Sequence, residues 1–161
     1  MADFVEEIEH FLASFSPEET AVMRHAFRAI LDGTPAKVAE LPAAMGLPPS
    51  VVEAAVGRLV ERGILVVEPK TGQITGARGI SLTETAHRLT LDGRERYAFC
   101  AVDAVGIQAA LGGNARVESH CYHCRKPIAV EFRTGTVAEA TEGTVIWAVE
   151  RDLSRSLRAH T

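Results

Sequence analysis

The residues of this 161-residue chain with the widest chemical reach are its three cysteines, Cys100, Cys121 and Cys124, and a carboxylate, Asp103, three positions after the first of them. If the run from Cys100 onward is helical, a spacing of three puts thiol and carboxyl on one face. At a helix N-terminus the unpaired N–H groups and the helix dipole also favour a thiolate. The pair then offers a soft nucleophile beside a group able to carry a proton. The same spacing equally suits a buried structural cysteine with Asp103 as a capping or ion-pairing residue.

The other two thiols lie in Ser119-His-Cys-Tyr-His-Cys124, a CxxC frame with His120 and His123 interleaved and Arg125 and Lys126 adjacent. That spacing lets two thiolates reach one ion, and soft ligands select soft or borderline metals. One CxxC is only half a zinc site, so metal ligation, a redox pair and plain packing all stay open. A thioredoxin-type context, a strand running directly into a helix, is not evident. If the fold brings Cys100 beside the CxxC, the three thiols with His120 or His123 make a zinc-type or metal-sensing set. Three is an odd count, and in a reducing compartment thiols serve more often as ligands or nucleophiles than as staples.

Positioning these groups falls to elements that the periodicity predicts. Asp3 to Phe15 carries apolar residues at helical spacing. Ser16-Pro-Glu-Glu19 supplies an N-cap, a proline at the first helical position and a capping box, for a helix running to Asp32 and stopped by Gly33. Val38 to Met45, ended by Gly46, reads as a short helix with Pro42 in its first turn. Pro48 to Arg62 reads as another, with Val51, Val52, Ala55, Val56, Leu59 and Val60 on one face and Gly63 as its stop. Ile64 to Val67 and Ile74 to Leu82 are expected to be strands joined by a turn at Pro69 to Gly72.

Three helices followed by a two-stranded wing is the order of a winged helix. Beyond Leu82, short strands are expected at Ala86 to Leu91, Val117 to Ser119, Ile128 to Phe132 and Val145 to Val149. A buried helix is expected over Cys100 to Leu111, closed by a turn at Gly112-Gly113. The fold class is therefore α+β, a winged-helix-like domain over residues 1–78 followed by a small mixed strand and helix domain over 79–161. His87 is read as a packing or hydrogen-bonding residue, and Phe132 and Trp147 as core.

Composition excludes several function classes. Hydrophobic residues make up 47% and charged residues 24% of the chain, the balance of a globular protein with a core. No apolar run is long enough to span a bilayer and the acidic start lacks a signal's basic region, so a cytoplasmic protein without a membrane partner is expected. The net charge is −4, and residues 1–80 hold seven Lys and Arg against eleven Asp and Glu. The helix that would read DNA offers only Arg58 and Arg62, set against Glu53 and Glu61, and lacks the basic footprint that phosphates demand. A winged-helix regulator is thus the least favoured reading, behind a thiol enzyme and a non-catalytic thiolate metal-binding or sensing protein.

Four ordered motifs sharpen this. Gly79-Ile-Ser-Leu-Thr-Glu-Thr-Ala-His87, Tyr97-Ala-Phe-Cys-Ala-Val-Asp103, Ala110-Leu-Gly112 and Ala115-Arg-Val-Glu-Ser-His-Cys121 stand in one register, and the sequence over residues 30–150 resembles the alkylmercury (organomercurial) lyases. The resemblance implies a cytoplasmic bacterial enzyme that cleaves a carbon–mercury bond by protonolysis, with an N-terminal unit that is not a DNA reader. It implies Cys100 as the thiolate that binds mercury, Asp103 as the proton relay and Cys121 as structural. No resident cofactor is implied. An organomercurial is the substrate, a mercuric ion the product and a low-molecular-weight thiol the co-reactant, with zinc an alternative occupant of the thiols. The family pattern also uses a second thiol downstream of the region matching Thr144 to Val149, and the chain's last residues, Arg158-Ala-His-Thr161, fall where that segment is expected to begin. The expectation is therefore a lyase shortened before its second cysteine, one in which Cys124 substitutes for it, or a scaffold kept for metal binding.

Overall fold

The computed structural model describes residues 10, 11 and 13–146. The helix expected over Asp3 to Phe15 falls largely outside them, as do Trp147 and most of the strand expected at Val145 to Val149.

Helix α1, Pro17–Asp32, starts as its local sequence dictates. Glu19 N–H donates to Ser16 Oγ at 3.2 Å while Ser16 N–H donates to Glu19 Oε2 at 2.8 Å, closing the capping box, and Gly33 ends the helix at φ 81°. A 3₁₀ turn, Val38–Glu40, leads into α2, Leu41–Met45, with Pro42 in its first turn and Gly46 as its left-handed cap. Helix α3, Pro49–Glu61, buries Val52, Ala55, Val56 and Leu59. Val51 and Val60, expected on that face, are exposed instead: the i, i+3, i+4, i+7 stripe already fills the contact with α1, and both valines flank it.

The strands form one antiparallel sheet in the order β1-β2-β3-β5-β4-β6-β7-β8. They are β1 (Leu65–Val67), β2 (Ile74–Ala77), β3 (Ile80–Ser81), β4 (His87–Leu91), β5 (Arg94–Ala98), β6 (Ala115–His120), β7 (Pro127–Arg133) and β8 (Thr136–Ala140), with α4 (Ala101–Leu111) between β5 and β6. The single strand expected over Ile74 to Leu82 is in fact two. Arg78 at φ 48° and Gly79 at φ 87° make a two-residue hairpin turn that folds β3 back onto β2. Because β2 and β3 pair, the sheet runs without a break from the helical N-terminal region into the rest of the chain.

One face of the sheet is core and the other is charged, the usual division of an antiparallel sheet. Leu89, Val117 and Val130 stand opposite one another across β4, β6 and β7 and are all buried. On the alternate positions Arg88 bonds Glu118 at 2.7 Å and Arg116 bonds Glu131 at 2.6 Å. Helix α4 packs on strands β3 to β6. It buries only Ala104, Ile107 and Gln108, and Val102 and Leu111 stay exposed, so it covers the sheet rather than lying within the core as expected.

Three arginines tie the parts together. Arg96, 7% exposed on β5, donates from Nε to Ile30 O at 2.6 Å and from Nη2 to Leu31 O at 2.7 Å, satisfying last-turn carbonyls of α1. Arg58 on α3 pairs with the buried Glu19 of α1 at 2.6 Å. Its neighbour Arg62 stacks on Phe15, 3.9 Å from the ring centroid, and donates to Ser14 Oγ at 2.7 Å.

Candidate active site

Cys100 sits at the junction between β5 and α4. Its extended backbone, φ −147° and ψ 172°, makes it the N-cap of α4, and the Asp103 N–H donates to its sulfur at 3.4 Å. The thiol in turn donates to Asp103 Oδ2 at 3.0 Å. The Asp103 N–H bond is that of a helix N-cap, with a thiol in place of the usual hydroxyl. The sulfur faces the first-turn N–H groups of an 11-residue helix, where negative charge is favoured. Cys100 is only 8% exposed, so a ligand on it is largely shielded from water.

The floor of the site comes from the β2–β3 turn. A β-carbon built on Gly79 would lie 2.5 Å from both Cγ and Oδ1 of Asp103, so the carboxyl rests directly on this glycine's backbone. Gly79 O also accepts from Phe99 N–H at 2.8 Å, which pins the residue preceding Cys100. A side chain at 79 is thus excluded twice, by the positive φ and by the carboxyl.

His87 opens β4 at the same end of the sheet. Its Nδ1 lies 2.8 Å from Ser119 Oγ on β6. Burial pushes the His87 pKa down, and the negative charge of Asp103 pulls against that shift. The imidazole is therefore within the electrostatic reach of the carboxyl. Its expected role as a hydrogen-bonding residue agrees with these contacts. Thr85 fixes the segment before it by donating to Ala98 O at 2.6 Å.

The structure divides the three thiols between two places. Cys121 and Cys124 lie in the turn joining β6 to β7, and β4 stands between β6 and the β5 strand that leads to Cys100. Two strand spacings are roughly 10 Å. Among the described residues no group of three or more His, Cys, Asp or Glu side chains is placed to hold a metal ion. The shared set Cys100, Cys121 and Cys124, with or without His120 or His123, is therefore not assembled, because sheet order separates what the sequence places within 25 residues. Gly79 and Ser119 are the site residues that local reasoning did not single out. The glycine in a two-residue turn was a signal for the first, and only strand register reveals the second.

Comparison with known proteins agrees with this geometry. Residues 80–160 match the family model described as alkylmercury lyase. The chain belongs to the alkylmercury lyase family. It is 26% identical over 140 residues to the alkylmercury lyase of Staphylococcus epidermidis, and 32% identical over 124 residues to that of Pseudomonas putida. These alignments cover 84% and 71% of this chain, which spans 62% and 58% of the length of those relatives. A crystal structure of the mercury-bound form of MerB2 superposes with a TM-score of 0.87 at 30% identity, over 93% of this chain and 73% of that one. The mixed helical and antiparallel-sheet fold of the alkylmercury lyases is thus shared. No helix among the described residues is long and apolar enough to cross a membrane.

Proposed function

We propose that this chain carries the carbon–mercury cleavage of its family, with Cys100 as the residue that takes mercury and Asp103 as the proton relay. The observation that carries the reading is the 3.0 Å contact between Cys100 Sγ and Asp103 Oδ2 at the N-terminus of α4. Mercury is the soft partner a thiolate selects, and a proton must be moved to carbon within a few ångströms of it.

The steps balance as follows. An organomercurial R–Hg–X exchanges X for the Cys100 sulfur, and the thiol proton passes to the Asp103 carboxylate as X departs as an anion. A small external thiolate adds to the same mercury and raises electron density at the bound carbon. The carbon–mercury electron pair then takes the proton from the Asp103 carboxylic acid. The products are R–H and a mercuric ion held between Cys100 and the small thiol. The carboxylate is regenerated.

In this reading α1 to α3 with the β1–β2 hairpin form a winged-helix-like unit, residues 1–78, that packs against the lyase unit, residues 79–161, and does not read DNA. Supporting this, Arg58 and Arg62 are engaged by Glu19 and Phe15 rather than presented as a basic face. A cytoplasmic setting fits reduced thiols.

The test is hydrocarbon release from a methyl- or phenylmercury salt with glutathione in excess, followed by headspace gas chromatography. The wild-type chain is expected to turn over repeatedly and Cys100→Ser to give only the uncatalysed background. Equal rates in the two proteins exclude the assignment.

A further inference from the structure

The turn between β6 and β7 carries chemistry that the Cys100 and Asp103 pair does not use. Cys121 N–H donates to Lys126 O at 2.9 Å and Arg125 N–H donates to Cys121 O at 2.9 Å, so the loop closes on itself within six residues. Arg125 adopts φ 59° to do so, a left-handed conformation unfavourable for a residue with a β-carbon. Strain of this kind persists where the surrounding structure imposes it, and it clusters at ligand sites.

Cys121 is half-buried, Cys124 is exposed and neither is in a disulfide. The two cysteines thus bracket one closed turn, both with free thiols and neither fully buried. Among the described residues no third His, Cys, Asp or Glu side chain joins them. A structural zinc ion needs four protein ligands and is not provided for. A soft d¹⁰ cation content with two thiolates is.

We propose that Cys121 and Cys124 form a two-thiol clamp for a soft, two-coordinate metal ion, and that in this protein the ion is the mercuric product of carbon–mercury cleavage. Naming that product rests on the proposed lyase function. The clamp itself rests on the turn. Loading is a ligand exchange without redox change: mercury leaves two small thiolates and bonds to Cys121 and Cys124, whose two protons pass to the departing thiolates. The clamp lies at the same end of the sheet as Cys100, beyond Ser119 on β6, where it can receive an ion carried out by a small thiol.

The experiment uses full-length Cys100→Ser protein, so that mercury on the lyase thiol does not contribute. One equivalent of mercuric chloride is added with a tenfold excess of glutathione, the protein is desalted, and mercury and remaining protein thiols are counted. One mercury per chain with both thiols blocked is expected. Adding Cys124→Ser, a surface substitution whose folding is checked by its thermal transition, is expected to cut retention on the order of 100-fold, since the second bond is then no longer intramolecular. Equal retention in the two proteins, or a single thiol blocked per mercury, overturns the clamp. So does a Cys121–Cys124 disulfide forming under mild oxidant in protein that retains no mercury when reduced. Every protein in this comparison lacks Cys100, so its outcome is independent of whether the wild-type chain releases hydrocarbon.

Discussion

The carboxyl of Asp103 occupies the space that a β-carbon on Gly79 would need, 2.5 Å from where that atom would lie. The proton relay is therefore positioned by a backbone turn from a different hairpin, not only by its own helix. Gly79→Ala forces the carboxyl away from the Cys100 sulfur and strains a residue held at φ 87°. Stability is expected to fall by about 1–3 kcal/mol from the backbone term. Hydrocarbon release is expected to fall about 100-fold at saturating substrate, because a displacement of about 1 Å at the reacting groups costs that much. Retained activity in a folded Gly79→Ala protein would show that the contact does not position Asp103.

Arg96 predicts a separation of stability from chemistry. It is buried on β5, and its guanidinium donates to the backbone carbonyls of Ile30, Leu31 and Glu95. Arg96→Met leaves two α1 carbonyls without their charged donor and is expected to cost about 3 kcal/mol. For a chain of this size that lowers the melting temperature by roughly 6–12 °C. The rate per folded molecule at 20 °C should be unchanged, and a large drop in it would place Arg96 in the catalytic machinery.

Acid sensitivity should trace to Glu19. Burial raises its pKa, but hydrogen bonds from Arg58 and from Ser16 N–H outweigh that and hold it below the ordinary carboxylate value of 4.5. A carboxylate with a lowered folded-state pKa stabilises above its unfolded pKa, and the contribution is lost as pH falls through the folded value. Urea midpoints measured from pH 6 to pH 3 should therefore decline in the wild type and more shallowly in Arg58→Met. Parallel declines would mean that the Arg58 pair contributes nothing to the pH dependence.

His87 reports on Asp103 directly. Burial holds its pKa below 6.5 while the Asp103 charge raises it. Removing that charge with Asp103→Asn should move the His87 titration, followed by its ring resonances, further down. No movement, or an upward one, would contradict the proximity of the two groups.

What was legible in the sequence was what is local. The Ser16 capping box, the Gly33 and Gly46 stops and the three-residue spacing of Cys100 and Asp103 all depend on neighbours within one helical turn, and they appear where periodicity and capping put them. The misses are long-range. Strand β5, Arg-Glu-Arg-Tyr-Ala, carries three charges in five residues and was not anticipated, because what makes it a strand is pairing with β3 and β4. Strand β8 was missed for the same reason, since its pattern is exposed throughout and only β7 supplies its partner. The three thiols looked like one set in sequence, and the insertion of β4 between β5 and β6 made them two.

The most direct test of the central claim follows the proton. Phenylmercuric acetate is supplied in D₂O with excess glutathione to the wild type, Cys100→Ser and Asp103→Asn, and benzene is quantified with its deuterium content. The account predicts singly deuterated benzene released over many turnovers by the wild type and none above background from Cys100→Ser. It predicts a rate lower by about 10²–10⁴-fold from Asp103→Asn that still retains mercury on Cys100. Wild-type rates from either variant would contradict it.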